Sequence, residues 1–296
     1  VICRKPIIIG ALPVGCGQCI PCRVNRRRVW AHRIVLEAKE HPQNAFVTLT
    51  YNEENLPRTR DGIPTLRPSD LTLWLKRFRF KLGEHRVRYF ACGEYGKDLP
   101  GHHGRPHYHA IIFNWAGCVR GRSNGACSCN ACKPISDTWG HGFIYSGEVN
   151  LKTAQYVAGY VTKKVGIEDA TQRTPCFARM SRNGGIGFAA IPEIASSLMT
   201  NQNDLGMVDV PAALRHGEAL MPLGPVMRRR LREQMGRPAN VPDEVTYQRS
   251  IEPELYALRL ASRQSSEGLS KIVARHYAGA CDTVEARLKL KRETLK

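Results

Sequence analysis

The sequence predicts an α+β fold in which an antiparallel central sheet carries flanking helices, with a Cys-rich segment before it and a helical region after it. Three observations predict this. Between residues 41 and 165 the hydrophobic period alternates as strand, helix, strand, strand, strand, helix. Cys16, Cys19 and Cys22 put three thiols into one short turn-like stretch. The last segment, from Glu252 to Leu295, is amphipathic with mixed charge, as a half-exposed helix would be. The expected organisation is therefore a Cys-rich basic segment and helix over residues 1–40, a central domain over 41–165 and a mostly helical region over 166–296.

Each element follows from local signals. Val24 to Ala38 reads as a basic amphipathic helix, and Asn44 to Tyr51 as a strand rich in β-formers. Pro57, Gly62 and Pro64 punctuate a loop over 52–65. Ser69 is placed to cap a helix through Leu82, with Leu71, Leu75 and Phe78 on one face. Strands are expected at Arg86 to Gly93, His107 to Trp115 and Gly142 to Val149, and a helix from Thr153 to Val165. Residues 166–190 are turn-rich, and Ile191 to Gly224 holds short apolar runs broken by Pro and Gly. Val226 to Gly236 and Glu252 to Leu295 read as helical.

Charge narrows the class of partner. Lys and Arg number 44 against 26 Asp and Glu, a formal net charge of +18. Such a chain favours polyanions through counterion release. Arg23, Arg26, Arg27, Arg28 and Arg33 cluster early, and Arg228, Arg229, Arg230 and Arg232 late; a solvated helix face and a phosphate-holding face are both consistent with either run. Trp30, Trp74, Trp115 and Trp139 are available for base stacking or for the core. No apolar run approaches the ~20 residues that span a bilayer, and Ile7 to Leu12 is too short for a secretory leader, so a reducing, soluble setting is expected. The start at Val1 is read as processing or as missing upstream sequence.

Of the 11 cysteines, eight fall into two groups. Cys3, Cys16, Cys19 and Cys22 form one, and Cys118, Cys127, Cys129 and Cys132 a second. In a reducing compartment such spacings suit structural Zn²⁺ rather than disulfides, free thiols being the alternative. Cys92 is expected on the face opposite Glu94, buried and inert.

His107 and His109 flank one residue at the start of a strand, so they project to the same side about 7 Å apart, close enough to share a metal ion. If the strand before it is its hairpin neighbour, Glu94 faces the pair across the ladder. Two imidazoles and a carboxylate leave coordination positions open, as catalytic sites do. His102 and His103, among Gly and Pro in the intervening loop, are expected in solvent. Tyr156 and Tyr160 are one helical turn apart, with Lys163 and Lys164 beyond them. Core packing and helix capping account for such residues in general; beside an open metal site they also supply the parts for attack on a phosphodiester, a phenol and a cation to activate it.

These residues carry a family resemblance. The stretches Cys16 to Arg23, Phe46 to Tyr51, Gly93 to Gly96, Gly104 to His109 and Tyr156 to Lys164, with a weaker echo from Met180 to Gly187, occur in the order seen in microvirus replication initiators. The chain resembles especially the gokushovirus branch of these bacteriophage (Microviridae) proteins, within the HUH endonucleases. The resemblance covers most of residues 1–190 and little beyond. It implies that His107, His109 and Glu94 hold a catalytic Mg²⁺ or Mn²⁺, that the Thr48 strand lies beside them at the sheet centre, and that Tyr156 or Tyr160 is the nucleophile. It implies an endonuclease that nicks single-stranded origin DNA, forms a 5′ phosphotyrosine link, frees a 3′ hydroxyl for rolling-circle replication and rejoins the product. Arg26, Arg27, Arg28 and Arg105 are the expected DNA-binding residues. Partners would be single-stranded and replicative-form viral DNA and the host replication machinery, in the bacterial cytoplasm, with no membrane. The alternatives are a zinc-containing single-stranded DNA-binding protein without chemistry and a basic genome-coating protein.

Overall fold

The elements follow one another in short steps. Strand β1 (Ile7–Ile9) pairs antiparallel with β2 (Leu12–Val14), and α1 (Ile20–Lys39) leads into β3 (Asn44–Thr50) and α2 (Pro68–Leu82). There follow β4 (Arg88–Tyr95), β5 (Pro106–Phe113), the short β6 (Arg122–Ser123), α3 (Cys132–Trp139), β7 (Ile144–Glu148), α4 (Leu151–Gly159) and β8 (Phe177–Met180). The chain then forms α5 (Ile191–Thr200), the hairpin of β9 (Ala213–His216) and β10 (Ala219–Pro222), α6 (Gly224–Gln234), α7 (Asp243–Thr246), α8 (Glu252–Arg263) and α9 (Leu269–Glu293). This computed structural model describes residues 3–9, 12–100, 102–118, 120, 122–123, 127–160, 172–200, 209–241, 243–246, 248 and 251–293.

The chain divides into two units, Arg27–Glu193 and the pair Val1–Arg26 with Ile194–Lys296. The first is built on an antiparallel sheet of order β6-β7-β3-β5-β4-β8, the α+β architecture expected. Alternation along the central strands sends Val47, Leu49, Tyr108, Ala110 and Ile112 to one face, where Trp74 and Phe78 of α2 and Ile135 and Trp139 of α3 close a buried core. The opposite parity, Phe46, Thr48, Cys92, Glu94, His107 and His109, lies on the other face. There Trp30 of α1 packs on Phe90, and Tyr156 of α4 lies edge-on to Phe46.

Helix α2 begins one residue earlier than expected, and Ser69 is not its cap. Arg67 occupies the N-cap position with extended backbone and no side-chain cap bond, and Pro68 opens the helix. Proline suits that position because its missing N–H has no intrahelical partner there and its φ is already helical. Helix α4 starts at Leu151 because Asn150 and Thr153 form a reciprocal capping box. Residues 161–165 of the expected helix, Lys163 and Lys164 among them, lie outside the described residues.

Several elements carry no clear signal in the sequence. Strand β8 adds a sixth rung beside β4, with Phe177 packed on the core and Arg179 bonded to the carbonyl of Pro68. Helices α3 and α5 and the β9–β10 hairpin lie where the sequence shows only turns or broken apolar runs. The stretch from Glu252 divides into α8 and α9 on either side of residues 264–268.

In the second unit, buried Asp209 accepts from Arg232 Nε at 2.6 Å and pairs also with Arg228. Two of the four late arginines are thus tied to an internal carboxylate instead of presenting a phosphate-binding row. Arg4 at the front of the chain bonds Glu285 Oε1 at 2.8 Å and Asp282 at 2.5 Å on α9.

Candidate active site

Antiparallel register places the central residues. His107 lies directly opposite Glu94, and His109 stands between Thr48 on β3 and Cys92 on β4. Glu94 Oε1 lies 3.0 Å from His107 Nε2 and 2.9 Å from His109 Nε2, and Glu94 is 2% exposed. On the far side of the rings, His107 Nδ1 is 3.1 Å from the Arg105 carbonyl and His109 Nδ1 is 2.9 Å from Thr48 Oγ1. A carbonyl only accepts, so His107 carries its proton on Nδ1 and turns the Nε2 lone pair towards Glu94. The Thr48 hydroxyl can accept in the same way from His109. Basic atoms then face one another across gaps that only a proton or a cation bridges. The three side chains offer ligand atoms that all lie within 4.8 Å of one another, a set able to hold a divalent ion with positions left open.

Helix α4 lays its phenols over this group. The Tyr156 hydroxyl donates to Glu94 Oε1 at 3.0 Å and lies 3.3 Å from His109 Nε2. The Tyr160 ring, 8% exposed, stacks on His109 at 6.1 Å, and the two phenol rings are 5.2 Å apart, edge to face. Tyr156 is the accessible one, 42% exposed. Burial, followed by the Glu94 charge, pushes its phenol up to about 12 despite an opposing bond from Tyr160; burial pushes Tyr160 up as well.

The expected DNA-binding arginines divide. Arg26 and Arg28 are exposed. Arg27 instead turns inward: its Nε donates to the Gln155 carbonyl of α4 at 2.8 Å and lies near Tyr160, and burial lowers its guanidinium pKa. Arg105 donates to Glu53 Oε2 at 2.6 Å and to the Tyr51 carbonyl at 3.1 Å. His102 and His103 are exposed, as expected. Cys92 is buried, but on the same face as Glu94 rather than the opposite one, because residues two apart in a strand share a face.

Both cysteine groups are assembled. Cys3, Cys16, Cys19 and Cys22 converge with sulfurs within 4.8 Å, as do Cys118, Cys127, Cys129 and Cys132. In the first, the backbone N–H groups of Cys19 and Gln18 point at Cys16 Sγ and lower its thiol to about 6, while burial raises Cys22 to about 12. In the second, Cys118 and Cys132 are buried in the sheet core. Four convergent thiols are consistent with Zn²⁺ in each.

A six-stranded antiparallel sheet bearing a His-x-His pair, a facing carboxylate and a tyrosine helix defines a replication-protein type of domain, and the comparisons agree. Residues 44–165, which hold every side chain of this site, match the family model of the Replication-associated protein ORF2 type, and the chain belongs to that family. It is 36% identical over 190 residues to Replication-associated protein ORF2 of Spiroplasma virus 4, covering 59% of this chain and 56% of that one. It is 36% identical over 166 residues to Replication-associated protein VP4 of Bdellovibrio phage phiMH2K, covering 51% and 48%. It is 26% identical over 173 residues to Replication-associated protein ORF4 of Chlamydia phage 1, covering 52% and 39%. The chain thus spans about half the length of the curated relatives it matches. No solved structure matches it. Among the described residues no helix is long and apolar enough to cross a membrane.

Proposed function

We propose that this chain is a replication initiator endonuclease of the HUH type, which nicks single-stranded viral origin DNA through a tyrosine and later rejoins the strand. The observation that carries the reading is the Tyr156 hydroxyl 3.0 Å from a carboxylate oxygen that two imidazole nitrogens also face. Glu94, His107 and His109 would hold Mg²⁺ or Mn²⁺. Such an ion supplies a positive charge against a non-bridging phosphate oxygen and the departing 3′ oxygen. Arg105 and Thr48, behind the rings, keep both Nε2 atoms aimed inward. Tyr156 forms the bond to phosphorus as the P–O3′ bond breaks, and its proton ends on the 3′ hydroxyl. The 5′ phosphotyrosine conserves the phosphodiester energy, so a free 3′ hydroxyl can reverse the step without ATP. Because Tyr156 is exposed and Tyr160 is not, Tyr156 cuts first and Tyr160 serves the second cleavage. Arg26 and Arg28 would hold the strand. The partners are single-stranded and replicative-form viral DNA with the host replication machinery, in the bacterial cytoplasm, and the cysteine groups would carry structural Zn²⁺.

The test is incubation with labelled single-stranded origin DNA and Mn²⁺, then denaturing electrophoresis and peptide mapping. A covalent adduct on Tyr156 is expected, lost in Tyr156→Phe/Tyr160→Phe while DNA binding persists. Binding without any adduct from the unaltered protein would leave a zinc-containing single-stranded DNA-binding protein instead.

A further inference from the structure

A cleft of about 740 Å³ opens beside His107, between residues 56–64 and the β4–β5 connection at 96–105. That volume lies in the range of small-molecule and nucleotide sites, roughly 300–1,000 Å³. Its apolar surface comes from Leu56, Ile63, Pro64 and Leu99, and its cations are Arg58, Lys97 and Arg105 against one carboxylate, Asp61. No Phe, Tyr or Trp lines it.

Both walls are built in advance. In the first, Thr59 N–H donates to the Ile63 carbonyl at 2.8 Å, Thr65 N–H to Pro57 at 2.9 Å, and Arg58 Nη1 to Gly62 at 2.8 Å. In the second, Asp98 Oδ1 accepts from Gly104 N–H at 2.7 Å and from Arg173 at 3.1 Å, and Leu99 and His102 exchange two backbone bonds. The two arms of this connection pass so closely that a Cβ on Gly104 would lie 2.0 Å from the Gly96 carbonyl oxygen. Glu53 bonds both Arg58 and Arg105, tying the walls together.

We propose that this cleft seats one unpaired nucleotide of the DNA strand adjoining the scissile phosphate, an inference that rests on the nicking function above. Aliphatic side chains receive the base, and the cationic rim receives its phosphates. Continuity with His107 means that a strand lying across the metal centre runs directly into the cleft. Without an aromatic platform, selectivity here comes from shape and edge contacts rather than from stacking, which every base satisfies. The site therefore discriminates among nucleotides beside the nick.

The experiment uses full-length protein carrying Tyr156→Phe and Tyr160→Phe, incubated with Mn²⁺ and a random 16-nucleotide single-stranded DNA pool containing 4-thiothymidine, then irradiated and mapped by mass spectrometry. Crosslinks are expected within 56–64 and 96–105, cut at least tenfold by Lys97→Glu with Leu99→Glu. Both residues are exposed, so an unchanged melting temperature is the folding control. Crosslinks confined to other segments, no crosslinks at all, or yields indifferent to that pair would overturn the inference. The protein with both tyrosines intact is assayed in parallel for a covalent adduct on the same pool without the thio base. If that adduct fails to form while the cleft still crosslinks, the nicking reading falls and the nucleotide site stands; adduct formation with crosslinks elsewhere does the reverse.

Discussion

Thr48 Oγ1 lies 2.9 Å from His109 Nδ1, and the two residues are direct partners across the β3–β5 ladder. The threonine is therefore an orienting residue for an imidazole it cannot replace. Thr48→Val keeps the β-branched shape but removes the hydroxyl, freeing the ring to turn and to take the other tautomer. Loss of such an outer partner typically weakens metal binding by about 10–100-fold. We expect a drop in Mn²⁺ affinity in that range by calorimetric titration, with the melting temperature of the metal-free protein little changed. Unaltered affinity would mean that Thr48 is merely a neighbour.

The clustering of Glu94, His107, His109 and Thr48 is legible in the sequence because strand alternation has a period of two, and a hairpin register then fixes which residues meet. The same rule, applied correctly, gives Cys92 the parity of Glu94 and seats it beside His109, against the expectation of an opposite face. Arg27 is unreadable for a different reason. A row of arginines on α1 does not say which member meets solvent, since that depends on the helix packed against it. Strand β8 has four residues at the sheet edge, too few to show alternation, and its pairing with β4 is a tertiary event. The cysteine groups are legible from spacing, but that Cys118 and Cys132 stand in the sheet core requires the fold.

The phenol of Tyr156 gives a pH prediction. Burial and Glu94 raise it to about 12, above the ordinary value near 10. In metal-free protein it stays protonated between these values while an unfolded chain would release the proton. The folded state is thereby disfavoured as pH rises from about 10 towards 12, and fully keeps this contribution below 10. Absorbance titration near 295 nm should show a late phenol transition that Tyr156→Phe removes. A transition at 10 in the folded protein would contradict the burial argument.

Purified protein should carry about two equivalents of zinc, one for each convergent four-thiol group. Cys19→Ser should release one, and Cys129→Ser the other, as read by plasma mass spectrometry. Cys129→Ser should also lower the melting temperature, because its group includes the core residues Cys118 and Cys132. Retention of both ions by either variant would show that fewer than four thiols hold each one.

Behind the sheet, the Tyr51 hydroxyl donates to Asp70 Oδ2 at 2.8 Å and lies 2.8 Å from the Tyr108 hydroxyl, which in turn donates to the Arg67 carbonyl at 2.9 Å. This chain joins the core to the start of α2. Tyr51→Phe leaves a buried carboxylate oxygen without that donor and should cost about 1–3 kcal/mol. Urea unfolding with an unchanged slope is the measurement, and a loss under a few tenths of a kcal/mol would indicate that Asp70 finds another donor.

Arg26, Arg27 and Arg28 adjoin in sequence but should separate in function. Arg26 and Arg28 are exposed, so replacing either with Ala removes about one phosphate contact and lowers the magnitude of the salt slope of DNA binding by about 1. Arg27 donates to the Gln155 carbonyl one residue before Tyr156, satisfying a last-turn carbonyl of α4. Arg27→Ala should loosen that turn and slow adduct formation about tenfold while leaving the salt slope unchanged. Arg27→Lys should recover little, since the bond is made by Nε of a guanidinium whose planar geometry an ammonium does not reproduce. A changed salt slope with a normal adduct rate would return Arg27 to the DNA-binding face along with its neighbours.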